Sequence, residues 1–176
     1  TQGRKSAGIS TTNHTIKPGQ VFLAPGATVE YSIINAENVP VYIGADARVM
    51  EDCLIRDSFS LGENAVLKMG TKIYGATTLG PGCVGGGEIK NSVMFSHSNK
   101  AHEGYLGDSV IGSWCNLGAG TSNSNVKNTG AAVKYKIDAG ADFEWAGNKA
   151  GLLMGDYSRC AINTSFNTGT VVGVCC

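Results

Sequence analysis

VMEDCL, IRDSFS, LGENAV, LKMGTK, IYGATT and LGPGCV, residues 49–84 written in sixes, align on one template. The first position is Val49, Ile55, Leu61, Leu67, Ile73 and Leu79, aliphatic each time. The fifth is Cys53, Phe59, Ala65, Thr71, Thr77 and Cys83, mostly small. A hexad period fits neither the helical repeat nor simple strand alternation, and it is too short for a two-helix repeat. Self-similarity at this period marks a β-solenoid of hexapeptides, an all-β parallel coil. Each hexad is one short strand and a tight corner. The aliphatic residue points inward, and the fifth position faces a crowded interior.

Working outward, LAPGAT, VEYSII and NAENVP carry the repeat upstream to about Leu23. A two-residue slip at Val41-Tyr42 separates them from the phase restored at Ile43-Gly44. Downstream, GGGEIK and NSVMFS continue the repeat, and a hexad breaks around His97. A second two-residue slip precedes Tyr105, after which YLGDSV, IGSWCN and LGAGTS follow. Between Asn123 and Asn148 the period vanishes. VKYKI and DFEWA in that segment are expected to form short strands of a protruding arm. The repeat returns at Met154 as MGDYSR, CAINTS, FNTGTV and VGVCC. Residues 1–20 are polar and aperiodic and read as a lead-in or linker, with a solvated His14. The expected organisation is a lead-in at 1–20 and a hexapeptide domain at 21–176, with an insert at about 123–148. The chain does not open with Met and its repeat still runs at Cys176, so it is expected to be a piece of a longer protein.

Composition excludes several classes. The 176 residues carry 14 basic and 14 acidic side chains, so there is no electrostatic footprint for nucleic acid or an anionic membrane. No apolar run is long enough to span a bilayer, and no signal peptide opens the sequence. Cys53, Cys83 and Cys115 fall on fifth positions and Cys160 on a first position, where a thiol acts as a small inward apolar group. Reduced thiols and a cytoplasmic location are the expectation.

An insertion in a regular solenoid usually marks a binding face, so candidate chemistry is sought around it. Lys72 and Lys90 both occupy sixth positions, 18 residues apart. With three hexads per coil they would stack on neighbouring rungs, about 4.8 Å apart. Two ammonium groups that close favour an anion such as phosphate; the alternative is two solvated surface lysines. His97 and His102 with Tyr105 form a second group. Asn116, Asn123 and Asn125, around Gly118-Ala119-Gly120-Thr121, form a third, which turn chemistry also explains.

Tyr105-Leu106-Gly107-Asp108-Ser109, Asn116-Leu117-Gly118-Ala119-Gly120-Thr121 and Asn125 carry a family resemblance. They resemble the C-terminal domain of the bifunctional glucosamine-1-phosphate acetyltransferase/N-acetylglucosamine-1-phosphate uridyltransferases. SNKAHEGYLGDSVIGSWCNLGAGTSNSN is closer still to a bacterial subgroup of sugar-nucleotidyltransferase-like proteins. The resemblance covers nearly the whole chain and is weak in the insert. It implies a left-handed parallel β-helix that forms a homotrimer. Left-handedness comes from the resemblance alone, since general physics favours right-handed crossovers.

The resemblance also implies an acetyl-transfer site. His102, in His-x-x-Tyr with Tyr105, would be the general base on a sugar amine that attacks the acetyl-CoA thioester. Tyr105, Lys72 and Lys90 would hold the sugar phosphate. Asn116 and Asn125 would hold the sugar and orient the acetyl group. Lys134 is the candidate for a further family lysine, and the backbone at Ala119 would lie against coenzyme A. Mg would serve only the nucleotidyltransferase domain, whose Gly-rich nucleotide loop this chain lacks. The other reading is a non-catalytic trimerisation or regulatory module of a sugar-phosphate nucleotidyltransferase. A γ-class carbonic anhydrase site is also weighed on the His97/His102 spacing. It needs a third histidine two coils earlier, where Leu61 stands, so no metal is assigned.

Overall fold

The computed structural model describes residues 6–138 and 140–176; residues 1–5 of the expected lead-in lie outside the described residues. The chain winds as a parallel β-solenoid of about nine turns, with three sheet faces and almost no helix. Face I is a six-stranded sheet from His14–Ile16 to Tyr105–Gly107, face II an eight-stranded sheet from Val21–Leu23 to Val171–Val172, and face III a seven-stranded sheet from Thr28–Val29 to Arg159–Cys160. Within one coil the chain visits face I at Leu54–Arg56, face II at Phe59–Leu61 and face III at Val66–Leu67, then returns to face I at Lys72–Tyr74. Within each of these faces, among the described residues, the ladders between successive coils are parallel, consistent with a left-handed β-helix. No helix among the described residues is long and apolar enough to cross a membrane.

The hexad template is the core. All six first-position residues from Val49 to Leu79 are buried, and so are all six fifth-position residues, including the large Phe59. Ile55 stacks on Ile73, Leu61 on Leu79 and Val49 on Leu67, so like residues form columns along the axis. Removing apolar area at about 25 cal/mol per Å² is what holds such a narrow coil together. Corners supply the reversal. Many have positive φ and are occupied by Gly, Asp or Asn, including Asp52, Asp57, Asn64, Gly70 and Gly82, the residue types that tolerate this region at least cost. Cys53, Cys83 and Cys115 are buried free thiols, as their positions imply.

The winding differs from the hexad reading in three places and agrees with it on the arm. It begins earlier, because His14–Ile16, inside the expected lead-in, pairs with Ile33–Asn35. Asn123 belongs to the coil and pairs with Phe166, so the insert starts after it. The insert is an arm: Lys134–Tyr135 and Glu144–Trp145 pair antiparallel, as expected of VKYKI and DFEWA. The phase shifts at Gly85–Gly87 rather than just before Tyr105. Inward residues Ile55 and Ile73 are 18 positions apart, whereas Ile73 and Ile89 are only 16 apart.

Candidate functional site

The short coil decides how the candidate residues meet. On face I one outward column runs Leu54, Lys72, Glu88, Tyr105, and a second runs Tyr74, Lys90, Gly107. Lys72 and Lys90 therefore do not stack. Lys72 stands beside Glu88, and Lys90 stands beside Tyr74 with its ammonium 5.5 Å from the ring centre. The two lysines share a face on adjacent rungs but in different columns. The Tyr74 hydroxyl donates to the Glu88 carboxylate. That bond, then burial and the Glu88 charge, push the Tyr74 hydroxyl up to about 12.

Tyr105 opens the next strand. Its hydroxyl accepts a hydrogen bond from the Asn125 amide at 3.0 Å, and the same amide donates to the Asp108 carboxylate. Asp108, at a corner with φ of 50°, also accepts from the Asn91 amide at 2.6 Å. Burial and the Asp108 charge raise the Tyr105 hydroxyl above its ordinary value. Asn125 thus presents its carbonyl oxygen, with its amide nitrogen held on both sides. His102 is exposed on the turn from Lys100 to Tyr105, at the edge between faces III and I.

Asn116 lies elsewhere, on face III, where it accepts from the Asn99 amide at 3.1 Å. It lines a hollow of about 340 Å³ with His97, Trp114 and Arg159. His97 is a corner residue with φ of 59°, its ring stacked 4.4 Å from that of Trp114. Ala119 occupies the corner after Asn116–Leu117. The Gly120 amide donates to the Glu103 carbonyl at 3.0 Å, so this corner stacks under the turn that carries His102. Lys134 is on the arm, its ammonium 4.0 Å from the centre of the Trp145 ring. The neighbouring Tyr135 hydroxyl ties the arm to the coil by donating to the Gly151 carbonyl at 3.1 Å. No group of three or more His, Cys, Asp or Glu side chains placed to hold a metal ion occurs among the described residues.

Sequence reasoning passed over Glu88, Tyr74 and Asp108. Glu88 and Lys90 alternate around an inward Ile89, a strand pattern that places both on the outer face. The triple glycine just before them hides the register that brings Tyr74 alongside.

No protein-family model matches the chain. It is 35% identical over 115 residues to the bifunctional protein GlmU of Picosynechococcus sp., covering 64% of this chain and 23% of that protein. It is 34% identical over 89 residues to the bifunctional protein GlmU of Methanocaldococcus jannaschii, covering 51% and 21%. It is 29% identical over 165 residues to the bifunctional protein GlmU of Bartonella quintana, covering 86% and 34%. The chain thus spans about a fifth to a third of the length of these relatives. The parallel coil and the matches together support a β-helix domain similar to the C-terminal part of GlmU.

Proposed function

We propose that the chain is an acetyl-CoA-dependent N-acetyltransferase domain acting on an amino-sugar 1-phosphate, within a larger cytoplasmic sugar nucleotidyltransferase. The observation that carries this reading is the Tyr105–Asn125 hydrogen bond beside the His102 turn. It joins two polar residues 20 positions apart on the face that also bears Lys90. In the proposed reaction the sugar's amine attacks the thioester carbonyl of acetyl-CoA. A C–N bond forms, the C–S bond breaks, and coenzyme A leaves as the thiol. His102 takes the amine proton, a role imidazole suits because it titrates near neutral pH. Lys90, Lys72 and Tyr105 hold the phosphate by charge and hydrogen bonding. The Asn125 carbonyl accepts from the amine or a sugar hydroxyl, and Ala119 lies along the coenzyme.

Asn116 is on a different face from Lys90 and Tyr105. A site that uses all three needs the face of a second chain, which supports a closed homotrimer with the site between subunits. Mg, if used, serves the nucleotidyltransferase domain. A specific observation favours a non-catalytic assembly module instead: the Glu88 carboxylate stands between Lys72 and Tyr105, where a phosphate would have to lie. The deciding experiment is free-thiol release from acetyl-CoA with glucosamine 1-phosphate or galactosamine 1-phosphate, run on the full-length protein. Turnover with either sugar supports the enzyme, and none with any amino-sugar phosphate supports the assembly module.

A further inference from the structure

Lys100 occupies an inward position of face III, in the column Leu67, Gly85, Lys100, Leu117, where apolar side chains are the rule. It is 2% exposed, among the largest fully buried side chains of the coil. Its ammonium donates to the Gly86 carbonyl at 3.0 Å and to the His102 carbonyl at 2.7 Å. No turn or loop amide among the described residues donates to either carbonyl.

The cause lies in the shortened coil. At Gly86 a Cβ would come within 2.1 Å of the Ala101 carbonyl oxygen, so the two corners press directly on each other. Gly87 has φ of 71°. Backbone packed this tightly turns two carbonyls toward the interior, where an unsatisfied acceptor costs about 1–3 kcal/mol. At Gly85 the Leu79, Leu67 and Ile89 side chains close over the space that a Cβ would take, so the column beside Lys100 is apolar and tight. A buried lysine is expensive unless its charge is hydrogen-bonded. Here one such charge satisfies both corners and ties the His102 backbone to the rung before it. Burial lowers the Lys100 ammonium to about 8, and among the described residues the charge acting on it is Glu103 on the same turn, which opposes the shift. Its column neighbours Gly85 and Leu117 carry no titratable group.

We infer that Lys100 is a positioning residue: its buried ammonium clamps the 101–104 turn and so sets where the His102 side chain stands. The role in catalysis rests on the reading of His102 as general base; the clamp itself does not. The test is Lys100→Met, which keeps the buried stem and removes the donor, examined in the full-length protein by hydrogen exchange and by kinetics. Exchange should rise at least about tenfold for amides of residues 101–105 and stay unchanged at Leu54–Arg56. The kcat should fall roughly 10- to 100-fold, the effect of a misplaced catalytic group, with the KM for acetyl-CoA unchanged. Unchanged exchange across 101–105 in a folded variant overturns the clamp. Faster exchange with wild-type kcat overturns the positioning role. If the wild type shows no turnover, the acetyltransferase reading fails, and the exchange result still decides whether the clamp exists. Should Lys100→Met fail to fold, Lys100→Gln, which replaces the ammonium with a shorter neutral donor, is read by the same exchange measurement with the same expected rise across 101–105.

Discussion

Lys90 lies beside Tyr74, with its ammonium 5.5 Å from the tyrosine ring centre, and Lys72 lies one rung away in the other column beside Glu88. The two cations therefore meet an anion from different directions. Lys72→Ala and Lys90→Ala should each weaken sugar 1-phosphate binding, with nearly additive effects in the double variant, because two cations in separate columns that do not touch each other would meet different oxygens of the phosphate and couple weakly. Neither should lower the melting temperature by much, since Lys72 is exposed and Lys90 only half-buried on the outer face. Isothermal titration of the four proteins reads both quantities. A strong coupling between the two changes would mean that the lysines close on one phosphate oxygen together.

Glu88 opposes an anion on this face. Glu88→Gln should tighten sugar 1-phosphate binding, because it removes a carboxylate from between Lys72 and Tyr105. It should also bring the Tyr74 hydroxyl down from about 12, since the carboxylate hydrogen bond is the main cause of that rise. An ultraviolet titration of tyrosinate in the variant, compared with the parent, checks the second effect without any ligand. An unchanged tyrosine titration would mean that the Tyr74–Glu88 bond does not persist in solution.

Lys100 makes stability depend on pH. Below about 8 the lysine is protonated in both the folded and the unfolded chain, and the folded state carries the cost of a buried charge. From about 8 up to the ordinary lysine value of 10.5, the folded chain releases this proton while the unfolded chain keeps it. The unfolded state then binds more protons, so the Lys100 contribution to stability rises with pH across that window. The melting temperature of the parent minus that of Lys100→Met should increase between pH 7.5 and about 10. A flat difference would show that the ammonium keeps its ordinary affinity for the proton.

The division of Asn116 from Tyr105 and Lys90 between two faces makes assembly testable on its own. Light scattering at micromolar concentration should give three times the monomer mass. A monomer would leave any site confined to face I and its edges.

The parts of the fold that were legible share one property, a side chain that marks the inward column. Val49 to Leu79 announce the coil because an aliphatic residue recurs where the interior needs one, and the arm is legible because that marker stops. Where glycine replaces the marker, as at Gly85–Gly87, a two-residue loss leaves no trace in the pattern. Counting in hexads then puts Lys90 in the column of Lys72, where the structure has Glu88. Lys100 was hidden for the converse reason. A lysine in an apolar column breaks the template, and only the carbonyls of Gly86 and His102, brought together by the short coil, explain it. Asn125 was placed by resemblance; its bond to Tyr105 follows from the fold bringing the start of the insert back over face I.

The proposed chemistry rests on His102. It is exposed, three residues from Tyr105, on a turn whose carbonyl is held by Lys100. A sugar with its phosphate on Lys90 and Tyr105 and its ring toward Asn125 would bring an amine to this edge. His102→Ala should lower kcat about 10²–10⁴-fold, the usual contribution of a general base. Affinity for the sugar phosphate should hold, because the proposed binding groups are Lys72, Lys90, Tyr105 and Asn125. The variant should melt close to the parent temperature, since His102 is exposed and surface substitutions change stability little. Thiol release and ligand titration on the same preparation separate the two effects. A loss of binding with kcat retained would make His102 a substrate contact, and unchanged turnover would remove it from the mechanism altogether.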